Sequence, residues 1–568
     1  MSDIRIKNVK SQYTLILRKM SGVKVGFIPY NIITNLSRGI KSVSELDFTV
    51  SKYIGVDNTY NPLYDELQIG RYIDLDQEET FVIYDVSTSN NNIRTVKAYG
   101  KEKKLSKNKV ELSDITLTLK NPYDDIKDCY SLDELLYEDT GWHIGYVSDT
   151  VLYNSDATII DVLNGNNGNL MTTEKLRYQE SIATNWYDYI NNDIAEQFEC
   201  YPIFDSYNKK VHLYSDAELG ENTSLLLSYD NYLKSHEVST SIEDITTRLT
   251  LSGNDDLTIL EENPTGETYI EDFTYFMEQE EMTPELISAL ELYNARVKVL
   301  TQRWYDLREQ KAQKEEELQN KKVRLTQIYK KIQALKSVIS ASTDEEFNAQ
   351  KIEEIVDLTD EQIPLEANIE TLTAEIKNLN TEIFKVNMSC KKRYATTDDS
   401  NNTLIFTEAL LNELKEFIFH DDYSNDCITD ALTLYKLGLY QIKRMGVPTK
   451  TWSIDTVNFV NSLIDNEFRQ QWKGELALGD KIVIQDDDGI VDVAYFIGYS
   501  QSFKNGEESI QLELSNIKEN NNFSLTIGER LTVAQEAYKM VKTNQSAVNA
   551  LKRNRIGLNY DKINKEVL

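Results

Sequence analysis

Histidine and cysteine are nearly absent from this sequence: four of each occur among 568 residues. That scarcity removes most routes to hydrolytic or metal chemistry, which need a nucleophile or metal whose partners fix its protonation state. The histidines are His143, His212, His236 and His420, and they form no HxH, HExxH or other paired metal spacing. The cysteines, Cys129, Cys200, Cys390 and Cys427, stand far apart without a CxxC. Neither a zinc ribbon nor a redox pair is expected, and reduced thiols from cytoplasmic synthesis are the plain reading. Glycine (22) and proline (8) are also few, which argues against long flexible linkers. No segment reaches the roughly 18 uninterrupted apolar residues of a membrane span. The opening MSDIRIKNVK lacks the apolar stretch of a signal peptide. The chain is therefore expected to be made in a cytoplasm and to reach any extracellular place as part of something larger.

Positive charge is in deficit too. Lysine and arginine number 61 against 93 aspartates and glutamates, a formal charge of -32. Such a chain repels a phosphate backbone, so stable nucleic-acid binding is disfavoured. Simple solubility within a crowded assembly explains the same charge. At this length one compact core is not expected, and three or four domains are. The 34 tyrosines and 17 phenylalanines suit packed β-rich cores.

The first part reads as short strands separated by polar turns, which implies a barrel or sandwich. The strands are Tyr13–Leu17, Leu46–Val50, Ile73–Leu75, Phe81–Tyr84 and Ile93–Ala98, with a turn at Asn90–Asn92. From Ser131 the period becomes helical, with Ser131 and Glu134 spaced as a capping box. Asn185–Phe198 places Trp186, Ile190, Ile194 and Phe198 on one helical side. Ile203–Asp205 and Val211–Tyr214 read as a hairpin, followed by strands at Ser224–Leu227 and Thr247–Ser252. After Ser400 helices return at Leu410–Leu414 and Tyr435–Lys443. Strands then reappear at Lys481–Ile484, Val491–Tyr499 and Ile510–Leu514, with Asp488-Gly489 as a hairpin turn.

The strongest periodicity lies between Thr283 and Ser400. Steps of four and three from Leu300 reach Ile339 through twelve positions, nine of them apolar. Lys311, Lys314 and Lys321 make one weak zone in that seam. The same stepping from Leu365 to Val386 meets seven apolar residues in seven. Sustained heptads of this kind mean coiled coil. Thr343–Glu346 and Thr359–Gln362 both have the form of helix starts, and Pro364 suits an early helical position. The expected form is a helical hairpin with a short extra helix near its tip, each arm of roughly 55 residues reaching about 80 Å. The seam can pair the two arms or join separate copies.

Candidate chemistry is thin. His420-Asp421-Asp422 lies near Cys427, and a polar loop accounts for all four. Asp486–Gly489 resembles a calcium loop, but Ile497 stands where the twelfth-position glutamate belongs. Gly165–Asn169 lacks the lysine and flanking strand of a phosphate loop. Trp142 and Trp186 read as core residues. No catalytic, cofactor-binding or metal-binding residue is expected, and the chain is not expected to be an enzyme.

Five stretches, taken in order, resemble the prophage endopeptidase tail family, also called tail-associated lysins or phage minor structural proteins. They are Asp139–Gly145, Thr247–Gly253 with Asp255–Ile259, Asn263–Phe273, Met282–Leu290, and Leu478–Val483 with Leu512–Asn516. The resemblance covers roughly residues 13–520 and points to phages of low-GC Gram-positive hosts. It implies an α+β fold with two β-barrel hub domains, helical subdomains and an inserted long coiled-coil hairpin. The implied organisation is a first barrel over 1–125 and an α+β subdomain over 126–224. A discontinuous second barrel follows from 225–280 and 474–518, with the hairpin over 281–396. A helical subdomain covers 397–473 and a helical extension 519–568.

The implied function is a structural tail-tip protein, a baseplate hub that closes the tail tube and opens for DNA ejection at the host surface. The implied partners are two further copies in a homotrimer, a distal tail protein, a tape-measure protein, receptor-binding proteins and the host cell wall, with viral DNA in transient passage. Lysin members append a peptidoglycan-cleaving domain, whereas only about fifty residues follow Leu514 here. The rival readings are a wall-degrading tail peptidase, a contractile injection-system hub and a generic coiled-coil scaffold.

Overall fold

A computed structural model describes residues 7–516, apart from 11, 90–91, 229–232, 243–244, 399–402, 457–475, 486–490 and 504–508. The turns read at Asn90–Asn92 and Asp488-Gly489 and the helical extension 519–568 lie wholly or partly outside these residues. The fold mixes sheet and helix, dominated by one large sheet and one long helical hairpin.

Among the described residues the sheet has thirteen strands. They are β1 (Leu15–Arg18), β2 (Lys24–Ile28), β3 (Ile33–Gly39), β4 (Glu45–Ser51), β5 (Tyr72–Leu75), β6 (Glu79–Thr88) and β7 (Ile93–Gly100), then β8 (Asn222–Leu227), β9 (Leu233–Ser241), β10 (Thr449–Thr456), β11 (Lys481–Gln485), β12 (Val491–Ser502) and β13 (Ser509–Ser515). The order runs β9-β10-β13-β12-β3-β4-β7-β6-β5-β1-β2, with β8 beside β11 and β11 beside the start of β12. Among the described residues this path does not close into a barrel.

Alternation explains the register. β4 buries Leu46, Phe48 and Val50 and turns Asp47 and Thr49 outward, as a half-buried strand requires. Leu15, Leu17, Phe48, Phe81 and Val96 form one core, and Leu225, Ile482, Phe496, Leu512 and Leu514 form another. β12 serves both halves: Tyr495–Ser502 pairs with β13, while Gly498–Gln501 pairs with β3. Phe503, just beyond β12, packs edge-on against Tyr13 and Tyr30 in the first core.

Between the halves, the hairpin of Tyr201–Asp205 and Lys210–Tyr214 forms as its alternation implied. The segment from Trp186 differs from a plain α-helix. It is a π-turn at Tyr189–Ile194 flanked by short α-turns, with Trp186, Ile190, Ile194 and Phe198 all buried. Residues spaced strictly by four overshoot an α-turn by about 40° at each step, and the wider π-turn absorbs that drift.

The long helices are α1 (Pro284–Ala341) and α2 (Glu345–Cys390), and they pair with each other within the chain. Leu300 and Trp304 meet Val386 and Cys390 near the root, and Ile328, Ile332 and Leu335 meet Leu358 further out. The lysine zone of the seam is bridged by charge: Lys314 Nζ lies 2.9 Å from Glu375 across the hairpin. No short extra helix forms at the tip. Pro364 lies inside continuous α2. It is solvent-exposed, as is Asp360, whose carbonyl loses its partner and can be hydrated instead.

The stretch 397–473, read as helical, also contains two strands. His420–Asn425 runs parallel to Arg248–Gly253 in a separate three-stranded sheet completed by Tyr269–Glu271. Thr449–Thr456 is β10 of the large sheet. The segment His420-Asp-Asp-Tyr-Ser-Asn carries no apolar alternation, so its strand is imposed by pairing with its buried neighbour. Between these strands lies α3 (Ala431–Met445), whose Leu434, Leu437 and Ile442 are buried.

Candidate functional site

The titratable candidates do not assemble. His420 begins its strand, with Nε2 2.7 Å from Thr250 Oγ1 and 3.7 Å from Asp422. Cys427 lies beyond the other end, after roughly 17 Å of extended chain. Burial pushes the Cys427 thiol up to about 12, so it is no ready nucleophile. His143 stacks on Tyr137 and meets Asp133 at 3.2 Å. His212 is buried, and its Nδ1 accepts from the Tyr146 backbone N–H at 2.9 Å. His236 lies on β9 opposite Ile454, and its side chain falls outside the described residues. Among the described residues no group of three or more His, Cys, Asp and Glu could hold a metal, and no helix is long and apolar enough to cross a membrane. Trp142 and Trp186 are core residues.

Two joints stand out instead. The first links the sheet halves. Arg38 on β3 is fully enclosed, meets Glu79 of β6 through Nε at 2.9 Å and Nη2 at 2.8 Å, and donates from Nη1 to Tyr499 Oη of β12 at 2.7 Å. Lys7 completes the cluster, 3.7 Å from Glu79 and 3.9 Å from Glu102. Burial would raise the Glu79 carboxyl, but Arg38 and Lys7 hold it below its ordinary value. Glu102 has no such pair of cations, and burial pushes its carboxyl up to about 6. Beside this cluster, Tyr13 Oη donates to Gln501 Oε1 at 2.9 Å, and Gln501 Nε2 donates to the Lys10 carbonyl at 2.7 Å. The N-terminal segment is thereby tied to β12.

The second joint is the root of the hairpin, around a cavity of 1270 Å³ lined by Arg248, Glu271, Tyr293, Lys391, Lys392 and Phe406 among others. Arg248 grips one Glu271 oxygen from Nε at 2.9 Å and Nη2 at 2.6 Å, and Lys392 pairs with the other. Burial would raise Glu271, but Lys392 and Arg248 hold it low. Tyr293 of α1 donates to the Cys390 carbonyl of α2 at 2.7 Å, locking the two helices where they leave the body. Thr283 caps α1 and donates from Oγ1 to Glu413 at 2.9 Å.

The ordered motifs resolve into such joints. Asn263 is buried, its Nδ2 donating to the carbonyls of Glu267 at 2.9 Å and Tyr269 at 3.0 Å while its Oδ1 accepts from Thr265. That turn buttresses the hairpin, since Arg308 of α1 donates to the Glu261 carbonyl at 2.7 Å and Tyr305 to that of Glu262 at 3.2 Å. Asp139 accepts from Trp186 Nε1 at 3.0 Å. Asp480, fully buried, accepts from the backbone N–H of Ala477 and of Glu221, both at 2.8 Å, and so stitches β8 to β11. Arg38, Glu79, Lys7, Glu102 and Tyr499 carry no signal in the sequence, because no local spacing relates residues so distant.

No family model matches the chain. The chain is similar to the SPbeta prophage-derived uncharacterized protein YomG of Bacillus subtilis (strain 168), at 27% identity over 366 residues. That match covers 61% of this chain, which spans only 39% of the relative's length. Among solved structures, prophage tail protein gp18 from Listeria monocytogenes EGD-e is similar at a TM-score of 0.42 and 10% identity, over 92% of this chain and 99% of that one. The 43 kDa tail protein of prophage MuSo2 from Shewanella oneidensis gives 0.42 and 8% over 89% and 98%. The tail protein from Neisseria meningitidis MC58 gives 0.39 and 9% over 92% and 99%. Scores below 0.5 do not establish a shared fold.

Proposed function

We propose that this chain is a structural protein of a phage tail, placed at the tip as a baseplate hub. The carrying observation is the interrupted sheet. β8 and β9 precede the helical hairpin, their partners β10 and β11 follow it, and β12 then joins this half to the first. Such an architecture holds a projecting arm on a continuous β-framework, which is what a tail-tip ring with an attached arm requires. The similarity to a prophage-derived protein supports the same reading. Three copies would form a six-fold-like ring from two barrel-like units each, one drawn mainly from 1–125 and one from 225–280 and 474–518. The ring would adapt the tube to a three-fold tip, seat a distal tail protein and the tape measure, and open for DNA. A net charge of -32 would let DNA slide through an acidic lumen, and a lumen lined by lysine and arginine would contradict that part.

Deleting Leu290–Ser389 tests the hub reading against a coiled-coil scaffold. The hub keeps its sheet folded and sediments as a trimer; a scaffold loses its assembly. The peptidase reading predicts clearing of Gram-positive peptidoglycan in a zymogram, and the hub reading predicts none.

A further inference from the structure

The outer half of the hairpin carries a second apolar stripe that its own seam does not use. The seam there takes Ile355, Leu358 and Leu365 from α2. Ile352, Val356 and Ile363 stand apart from it at 53%, 51% and 62% exposure. With Thr359 they step four, three and four along α2, the spacing of a coiled-coil seam on another face. Such a stripe on a helix already paired along its other side marks an interaction surface.

Charge selects the occupant. From Lys321 to Ala341, α1 carries six basic residues and no acidic one. From Glu345 to Glu366, α2 carries eight acidic residues and one lysine. Within one hairpin this opposition is used once in full, where Arg324 meets Glu361 through two 2.7 Å contacts. The remaining faces of each arm are strongly basic on one helix and strongly acidic on the other. We propose that the outer halves of hairpins from separate copies of this chain pack side by side, the acidic α2 of one on the basic α1 of the next. Ile352, Val356 and Ile363 fill that contact, and helices of alternating sign surround a common bundle. This contact adds to any contact between the β-frameworks, and it does not depend on the tail-tip reading.

The Arg324–Glu361 pair places residues 323 and 363 at one level of the arm, and Val323 is itself 47% exposed on α1. Full-length chains carrying Val323→Cys are therefore mixed with chains carrying Ile363→Cys and treated with a short bismaleimide. The expected result is a cross-linked dimer well above the background of the parent chain and of either variant alone. Adding Ile352→Lys and Val356→Lys to the Ile363→Cys chain should lower its yield at least tenfold, with unchanged circular dichroism showing that the exposed substitutions leave the fold intact. No band above background, or a band indifferent to the lysines, overturns the proposal. A trimer that persists without the cross-link would leave the hub reading standing and this one refuted.

Discussion

Arg38 Nη1 donates to Tyr499 Oη at 2.7 Å across 461 residues of sequence, at the point where β3 and β12 pair. The same guanidinium holds Glu79, so one buried cation joins both halves of the sheet. Removing it leaves Glu79 buried beside only the more distant Lys7. Arg38→Ala is expected to destabilise the framework by about 3–5 kcal/mol. Tyr499→Phe, which removes one hydrogen bond to a charged group, should cost about 1.5–3 kcal/mol. Thermal unfolding checks both, and an unchanged first transition would contradict them.

The same cluster fixes a pH dependence. The Glu102 carboxyl is raised from its ordinary 4.5 to about 6, so the folded chain holds that proton more tightly than the unfolded one. Stability on this account falls as pH rises from 4.5 to about 6 and is flat above it. Glu79, held low, loses its contribution only as pH falls below the ordinary range. Melting temperature measured across this window should therefore slope downward in the parent chain. Glu102→Gln should flatten it, and parallel curves would contradict the assignment.

The stitch between β8 and β11 depends on two glycines in contact. Gly220 and Gly479 have φ of +82° and +89°, and a Cβ on Gly220 would lie 2.0 Å from the Gly479 carbonyl carbon. Backbone cannot yield as a flexible side chain does. Gly220→Ala is expected to give insoluble chain on expression, and a soluble variant with the parent's melting temperature would show that this crossing is not tight.

Pro364 predicts the opposite sign. It removes one hydrogen bond from the middle of α2, and Pro364→Ala restores the donor to the Asp360 carbonyl. The arm should gain about 1–3 kcal/mol locally, read as slower amide exchange over residues 360–368. Equal or faster exchange would contradict a continuous helix there.

These cases also mark what can be read from sequence. The hairpin is legible because its information is local: each heptad step needs only the next turn, and the lysine zone shows in the seam itself, whereas its bridge to Glu375 does not. The motifs with Asn263, Asp139 and Asp480 were legible as landmarks, but their work as buried-amide and carboxylate stitches was not. The strand His420–Asn425 and the π-turn at Tyr189–Ile194 leave no local mark because neighbours, not propensity, impose them. The Arg38 cluster is the limiting case, since its members share no spacing at all.

Placement at the tail tip is tested most directly by immunogold labelling of intact virions. Antibody raised against the purified chain should decorate the end of the tail distal to the capsid, one cluster per particle. Label on the capsid or along the tube, or virions free of the protein, would contradict the account.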